Sequence, residues 1–117
     1  MMKAETRLII DIFGELAGEN KDEQFRESVN GITLRDALLG FLDEISARYA
    51  YAAPKLSQRA KPIVMARYGF NDGQMKSYQE LGRMFGVTRE RTRQIVERVL
   101  RILRHPSKSN KLKLYIK

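Results

Sequence analysis

The feature that most constrains this chain is a block, residues 77–104, in which two helix starts are separated by a glycine corner. Ser77-Tyr78-Gln79-Glu80 has the form of a capping box. The Ser77 hydroxyl can accept from the backbone N–H of Glu80, and the Glu80 carboxylate can accept from the N–H of Ser77. The pattern predicts a short helix with Leu81, Met84 and Phe85 turned inward. Gly82 stands where two steeply crossing helices need a small residue, and Gly86 permits the left-handed conformation that ends a helix tightly. Val87 plugs the corner. Thr88 then caps a second helix that runs to about Arg104 and stops before Pro106.

The second helix has two faces. Ile95, Val99, Ile102 and Leu103 form an apolar stripe flanked by Val96 and Leu100. Arg89, Glu90, Arg93, Gln94, Glu97, Arg98, Arg101 and Arg104 occupy the rest. Its first turns present Arg89, Glu90, Arg93 and Gln94 together, as the part of a recognition helix that enters a major groove does. Arg can read guanine O6 and N7, Gln can read adenine, and a carboxylate can accept from the cytosine amine. The plainer alternative is an Arg-rich surface helix held by the pairs Arg93–Glu97 and Glu97–Arg101. The glycine corner, both caps and the charge placement favour DNA reading over it.

The rest of the chain reads as mainly helical. In residues 4–17, Leu8, Ile9, Ile12, Phe13 and Leu16 recur at helical spacing with Gly18 as a C-cap, while the β-branched run Ile9, Ile10 and Ile12 suits a strand equally. Residues 24–29 alternate weakly ahead of the turn signal Asn30-Gly31, which leaves room for a short strand pair. Thr33, with Asp36 three residues on, starts a helix to about Ala50 whose stripe is Leu34, Ala37, Leu38, Phe41, Leu42 and Ile45. That stripe is expected to pack on residues 4–17; the alternative is a partner or dimer surface. Pro54 marks a break. Residues 56–69 form a further helix with Ser57 as N-cap and Ile63, Val64 and Tyr68 as its apolar positions. Pro62 either begins its regular part or kinks it. Residues 69–73 (GFNDG) are turn chemistry. The fold class expected is all-α or mainly α: a C-terminal helix-turn-helix after a small N-terminal segment with at least one amphipathic helix.

Charge divides the chain at Pro54. The net formal charge is +8 over 117 residues. Residues 1–53 carry six Lys/Arg against ten Asp/Glu, and residues 54–117 carry sixteen against four. An acidic segment, expected to pack or bind a partner, therefore precedes a strongly basic DNA-binding domain. With no Cys and one His, thiolate chemistry and His-based metal sites are excluded, and no phosphate-loop glycine pattern is present. No enzyme activity, catalytic residue, metal or cofactor is expected. His105 reads as a helix-end residue. No apolar run approaches the ~20 residues of a membrane span, and the start lacks a signal-peptide pattern. The expectation is a cytoplasmic protein acting at the bacterial nucleoid, with no membrane partner.

The string VTRERTRQIVERVLRILRHPSKS, starting at Val87, resembles the end of region four of the sigma-70 family of bacterial sigma factors. The resemblance runs back through SYQELGRMFGV and RYGF to about Leu56, a little under half of the chain. The combination of RERxRQI with LRHPS is specific to the family, whereas general helix-turn-helix regulators share only the scaffold. It implies binding to the minus-35 promoter element and docking on the flap of the RNA polymerase β subunit. It implies base contacts from Arg89, Glu90, Arg93 and Gln94. Backbone contacts are implied around Arg59, Arg67, Ser77, Tyr78 and Arg83, with Thr88 and Arg91 at the helix start. Arg98, Arg101 and Arg104 match a basic face that partner proteins touch.

Three residues depart from the family pattern. Thr92 replaces a usual Ile, and its hydroxyl must bond back along the helix or reach solvent. Val96 replaces a usual Glu and widens the apolar stripe. Pro62 replaces a helix-compatible polar residue. Nothing in residues 1–53 resembles region two, the promoter-melting segment, and Trp is missing altogether. The expected function is sequence-specific binding of promoter DNA in transcription initiation, as a stand-alone or partial sigma-like protein with a separate region-two-bearing protein as possible partner. The alternative is a helix-turn-helix regulator or sigma appropriator acting on RNA polymerase.

Overall fold

A computed structural model describes residues 2–48 and 54–117, with residues 54–58 described by backbone alone. The described elements are α1 (Ala4–Phe13), a 3-10 turn (Lys21–Gln24), β1 (Ser28–Val29), β2 (Ile32–Thr33), α2 (Leu34–Arg48), α3 (Pro54–Tyr68), α4 (Tyr78–Phe85), α5 (Arg89–Leu103) and α6 (Pro106–Lys113).

The ambiguous first segment is a helix, and it ends earlier than Gly18. Gly14 takes a φ of 93°, and its N–H donates to Ile10 O at 2.6 Å, closing α1. The helical reading prevails because Leu8, Ile9 and Ile12 are all buried on one side, which a strand with period two would have split. Asn30-Gly31 makes the expected turn, with φ of 52° and 79°. Both values are positive, as a type I′ hairpin requires. Ser28 pairs with Thr33 and Val29 with Ile32.

Thr33 caps α2, its hydroxyl accepting from Asp36 N at 3.1 Å. Leu34, Leu38, Leu42 and Ile45 are buried as expected. Their main partner is α3, however, with α1 a minor one, which corrects the expectation that residues 4–17 would cover this stripe. The expected end of α2 at Ala50 lies outside the described residues.

Helix α3 begins at Pro54, so Ser57 lies inside the helix rather than at its cap. Proline suits a helix's first turn because its missing N–H is unpaired there anyway. Pro62 neither starts nor ends α3. A mid-helix proline removes a backbone bond at a cost of about 3 kcal/mol. Here its ring is exposed while Ala60, Ile63 and Val64 beside it are fully buried, so packing offsets the lost bond.

One core joins both halves of the sequence. It runs from Leu8 and Ile9 through Leu38, Leu42, Ile63, Val64 and Tyr68 to Val96, Leu103 and Leu112. Polar contacts lie over it. Tyr68 Oη donates to Asp11 Oδ2 at 2.6 Å. Arg7 donates to Tyr68 O and Gly73 O, each at 3.2 Å, tying α1 to the turn after α3. Helix α5 stops before Pro106 as expected, but a further helix, α6, follows it. Proline was read only as a stop, whereas it also opens helices. His105 caps α6 by accepting from Ser107 N at 3.2 Å on Nδ1. The chain then returns to the N-terminal half: Arg26 N donates to Tyr115 O at 2.7 Å and Lys117 N to Gln24 O at 2.8 Å.

Burial and the Asp11 carboxylate raise the Tyr68 phenol far above its ordinary range. The folded state therefore favours the neutral phenol. That contribution is fully present below about pH 10, the ordinary tyrosine value, and is lost as pH rises beyond it. Tyr68→Phe should lose about 1 kcal/mol at neutral pH and show a shallower alkaline decline. Urea denaturation at neutral and alkaline pH measures both.

Candidate nucleic-acid interface

The α4–α5 unit follows from its local signals. Ser77 Oγ accepts from Glu80 N at 3.1 Å, and Glu80 Oε1 accepts from Ser77 N at 3.2 Å. Those bonds hold the Glu80 carboxyl below its usual range. Gly86 closes α4 in the left-handed region at φ 68°. Thr88 Oγ1 accepts from Arg91 N at 3.0 Å and opens α5. At Gly82 the helices nearly touch: a Cβ there would lie 2.6 Å from Val87 O. The unit's interior departs from the pattern in one place. Leu81 is buried and Phe85 partly so, but Met84 is 55% exposed. Helix α4 has only eight residues, and its inward face is filled by Leu81 and Gly82 before Met84 can turn in.

Helix α5 buries Thr92, Ile95, Val96, Val99, Leu100 and Leu103. Val96 thus joins the stripe as its departure from the family pattern implied. Thr92 bonds back along the helix, its hydroxyl lying 2.6 Å from Arg89 O and also 3.0 Å from Tyr78 O on α4.

With that face buried, Arg89, Glu90, Arg91 and Gln94 project into solvent on the first two turns. Arg93 lies among them but is engaged. Its Nε donates to Glu90 Oε2 at 2.9 Å, a second nitrogen pairs with Glu90 Oε1, and Nη1 lies 2.7 Å from Glu97 Oε2. Arg93 therefore holds the Glu90 carboxyl below its usual range, and both carboxylates stabilise the guanidinium charge. A base contact from Arg93 would have to exchange these partners.

The other sequence-predicted positions divide by what they already bind. Arg59 is exposed and donates to Phe85 O at 3.0 Å, which sets its positive charge beside the α4–α5 turn. Arg83, Ser77 and Thr88 are exposed on the same unit. Arg67 is drawn inward: it donates to Lys76 O at 2.7 Å and lies 4.1 Å from the centroid of the half-buried Tyr78 ring. That pair fixes the entry to α4. Arg98 and Arg101 line a shallow polar depression with Arg91, Gln94 and Glu97. Arg104 is not with them: its guanidinium donates to Asp11 O at 2.6 Å and Ile12 O at 3.2 Å, satisfying the last turn of α1.

Sequence reasoning missed a second surface. Val29, Ile32, Ala37, Gly40, Phe41, Leu114 and Tyr115 line a largely apolar groove of about 490 Å³ between the hairpin, α2 and α6. Ile32 is 50% and Leu114 55% exposed there. The groove's sequence signals are Ala37 and Phe41 of the α2 stripe and the apolar Leu112 and Leu114 near the C-terminus.

Residues 52–105 match the family model described as Sigma-70, region 4. RNA polymerase sigma factor SigA of Nostoc sp. is 39% identical over 105 residues, covering 90% of this chain and 23% of that protein. SigA1 of Synechococcus elongatus is 38% identical over the same length and the same shares. SigA of Listeria monocytogenes is 48% identical over 61 residues, covering 52% of this chain and 16% of that protein. This chain thus spans less than a quarter of the length of these curated relatives. The 105-residue alignments are longer than the basic half, so the likeness enters residues 1–53 as well.

Gly82→Ala should destabilise the fold by about 2 kcal/mol. The clash is with a backbone carbonyl that cannot swing aside, which outweighs the ~1 kcal/mol by which alanine is the better helix former. Denaturant midpoints of the two proteins give the difference.

Proposed function

Through residues 52–105 this chain belongs to the sigma-70 family, in its region 4, and on that premise we propose that it binds promoter DNA at a minus-35-like element in transcription initiation. The observation that carries the reading is the start of α5. Arg89, Glu90 and Gln94 stand exposed in its first two turns while Ile95, Val96 and Val99 anchor its other face. These side chains, with Arg93 on exchange of its carboxylate partners, read base edges. Arg59, Arg83, Arg91, Ser77 and Thr88 position the unit on phosphates. Arg67 and Tyr78 act beneath that surface, by fixing the start of α4.

Residues 54–117 are the DNA-binding domain in this reading, and residues 1–53 are its packing scaffold. For the RNA polymerase β flap we propose the apolar groove between the hairpin, α2 and α6 as the seat, on the exposure of Ile32 and Leu114 there; its lining lies outside the matched residues 52–105. It shares no residue with the α5 reading surface, so one chain can hold both partners. Arg98 and Arg101 remain as a protein-facing basic surface. Arg104 serves α1 instead.

Two experiments test this. In binding titrations against a minus-35-like duplex and a scrambled one, Arg89→Ala, Glu90→Ala and Gln94→Ala should each cut the preference by about tenfold, as loss of a base contact does. Unchanged preference would refute the base-reading assignment. In pull-downs with core RNA polymerase, Leu114→Asp and Ile32→Asp should abolish capture, as should deletion of the flap, while DNA binding persists. Sequence-specific binding with no polymerase capture would instead favour the free-standing regulator.

A further inference from the structure

The buried hydroxyl of Thr92 has no role in the reading above. Thr92 is fully buried at the crossing of α4 and α5, between the capped start of one helix and the reading turns of the other. Its Oγ1 lies 2.6 Å from Arg89 O, one turn back on its own helix, and 3.0 Å from Tyr78 O, the first residue of α4. One hydroxyl proton is shared between these two carbonyls.

The two helices also approach closely at the corner. There Val87 N donates to Gly82 O at 3.0 Å, and a Cβ on Gly82 would lie 2.6 Å from Val87 O and 3.3 Å from Arg89 N, the first residue of α5. Tyr78 and Gly82 are one turn apart on α4, about 6 Å along the axis. Val87 and Thr92 are a little more than one turn apart across the start of α5. Apolar packing from the surrounding helices holds α5 in place but constrains its roll only loosely at the first turn, where its buried stripe has not yet begun. A second contact one turn away fixes the crossing angle, and a hydrogen bond fixes the roll because it is directional where apolar packing is not.

We propose that Thr92 is a positioning residue for sequence recognition: its hydroxyl, bridging Arg89 O and Tyr78 O, sets the roll of α5 and so aims Arg89, Glu90, Arg93 and Gln94 at the base edges. The roll matters because those four side chains surround Thr92 in sequence and turn with it. A rotation of the helix start displaces all of them together from hydrogen-bonding geometry. Phosphate contacts tolerate the same rotation, since they depend on charge more than on direction.

The proposal rests on the promoter-binding reading, and one set of measurements separates the two. The full chain is titrated with a minus-35-like duplex and a scrambled duplex. Thr92→Val keeps shape and burial but loses the donor. Thr92→Ser keeps the donor but loses a methyl. If Thr92 served stability alone, both changes would lower the melting temperature and neither would alter the preference between duplexes. The expected result differs for recognition: Thr92→Val loses about tenfold of the preference between duplexes while scrambled-duplex binding and its salt dependence stay unchanged. Thr92→Ser retains the preference despite a lower melting temperature. Residual dipolar couplings on free protein, which need no DNA, should show α5 reoriented against α4 in Thr92→Val and not in Thr92→Ser. Valine indistinguishable from wild type in preference and orientation, or serine failing as valine does, overturns the proposal alone. A wild-type chain without preference overturns the promoter reading and this proposal with it.

Discussion

Helix α5 has to bury Ile95, Val96, Val99, Leu100 and Leu103 while leaving Arg89, Glu90, Arg91 and Gln94 in water. Every other element in the chain serves that division. Helices α1, α2, α3, α4 and α6 all contact α5, so its apolar stripe is enclosed along its length. Full burial of such side chains contributes roughly 1.5–3 kcal/mol each. That is enough to hold an Arg-rich helix in a fixed place, although its own charges favour solvent on all sides. Without that enclosure Arg89, Glu90, Arg93 and Gln94, the residues proposed to read bases, would have no fixed geometry.

The acidic and basic halves meet in the same arrangement. Lys61 pairs with Asp43 at 2.6 Å, and Lys108 with Glu44 at 3.3 Å. Arg104 is taken by the carbonyls of Asp11 and Ile12. Each contact joins a cation of the second half to the first. The partly exposed Lys61–Asp43 pair is worth only about 0–1 kcal/mol, and Lys108 is buried while Glu44 is exposed, so the meaning of these contacts is positional. They engage positive charge on the sides of the fold that face residues 1–53, while Arg83, Arg89, Arg91 and Arg101 stay exposed on α4 and α5. The charge division along the sequence thus becomes a division in space.

What was legible in the sequence was what local chemistry determines. The Ser77–Glu80 box, the Gly86 corner and the Thr88 cap each involve residues within a few positions of one another, and each formed as read. Asn30-Gly31 likewise made its turn. Other readings failed or were incomplete because the deciding interaction was distant or the signal had two meanings: Gly18 does not close α1 and Met84 faces out. Ser57 looked like a cap, but Pro54 opens α3. Pro106 was read as a stop and is equally the first residue of α6. The stripe of α2 found α3 rather than residues 4–17, since periodicity shows that a face is buried and not what buries it. In the candidate site, identity was legible and use was not. Nothing local tells that Arg67 lies over Tyr78 or that Arg104 grips α1, whereas the Arg93–Glu97 pair follows from helical i,i+4 spacing.

The central claim is spatial: DNA meets the first turns of α5 and the caps beside it, and the hairpin–α2–α6 groove stays clear. Backbone amide shifts during titration with a minus-35-like duplex test that most directly. The account predicts that the large changes fall on residues 77–94 and around Arg59, with Val29, Ile32, Phe41 and Leu114 unmoved. Changes centred on the groove, or spread evenly over residues 2–33, would contradict it.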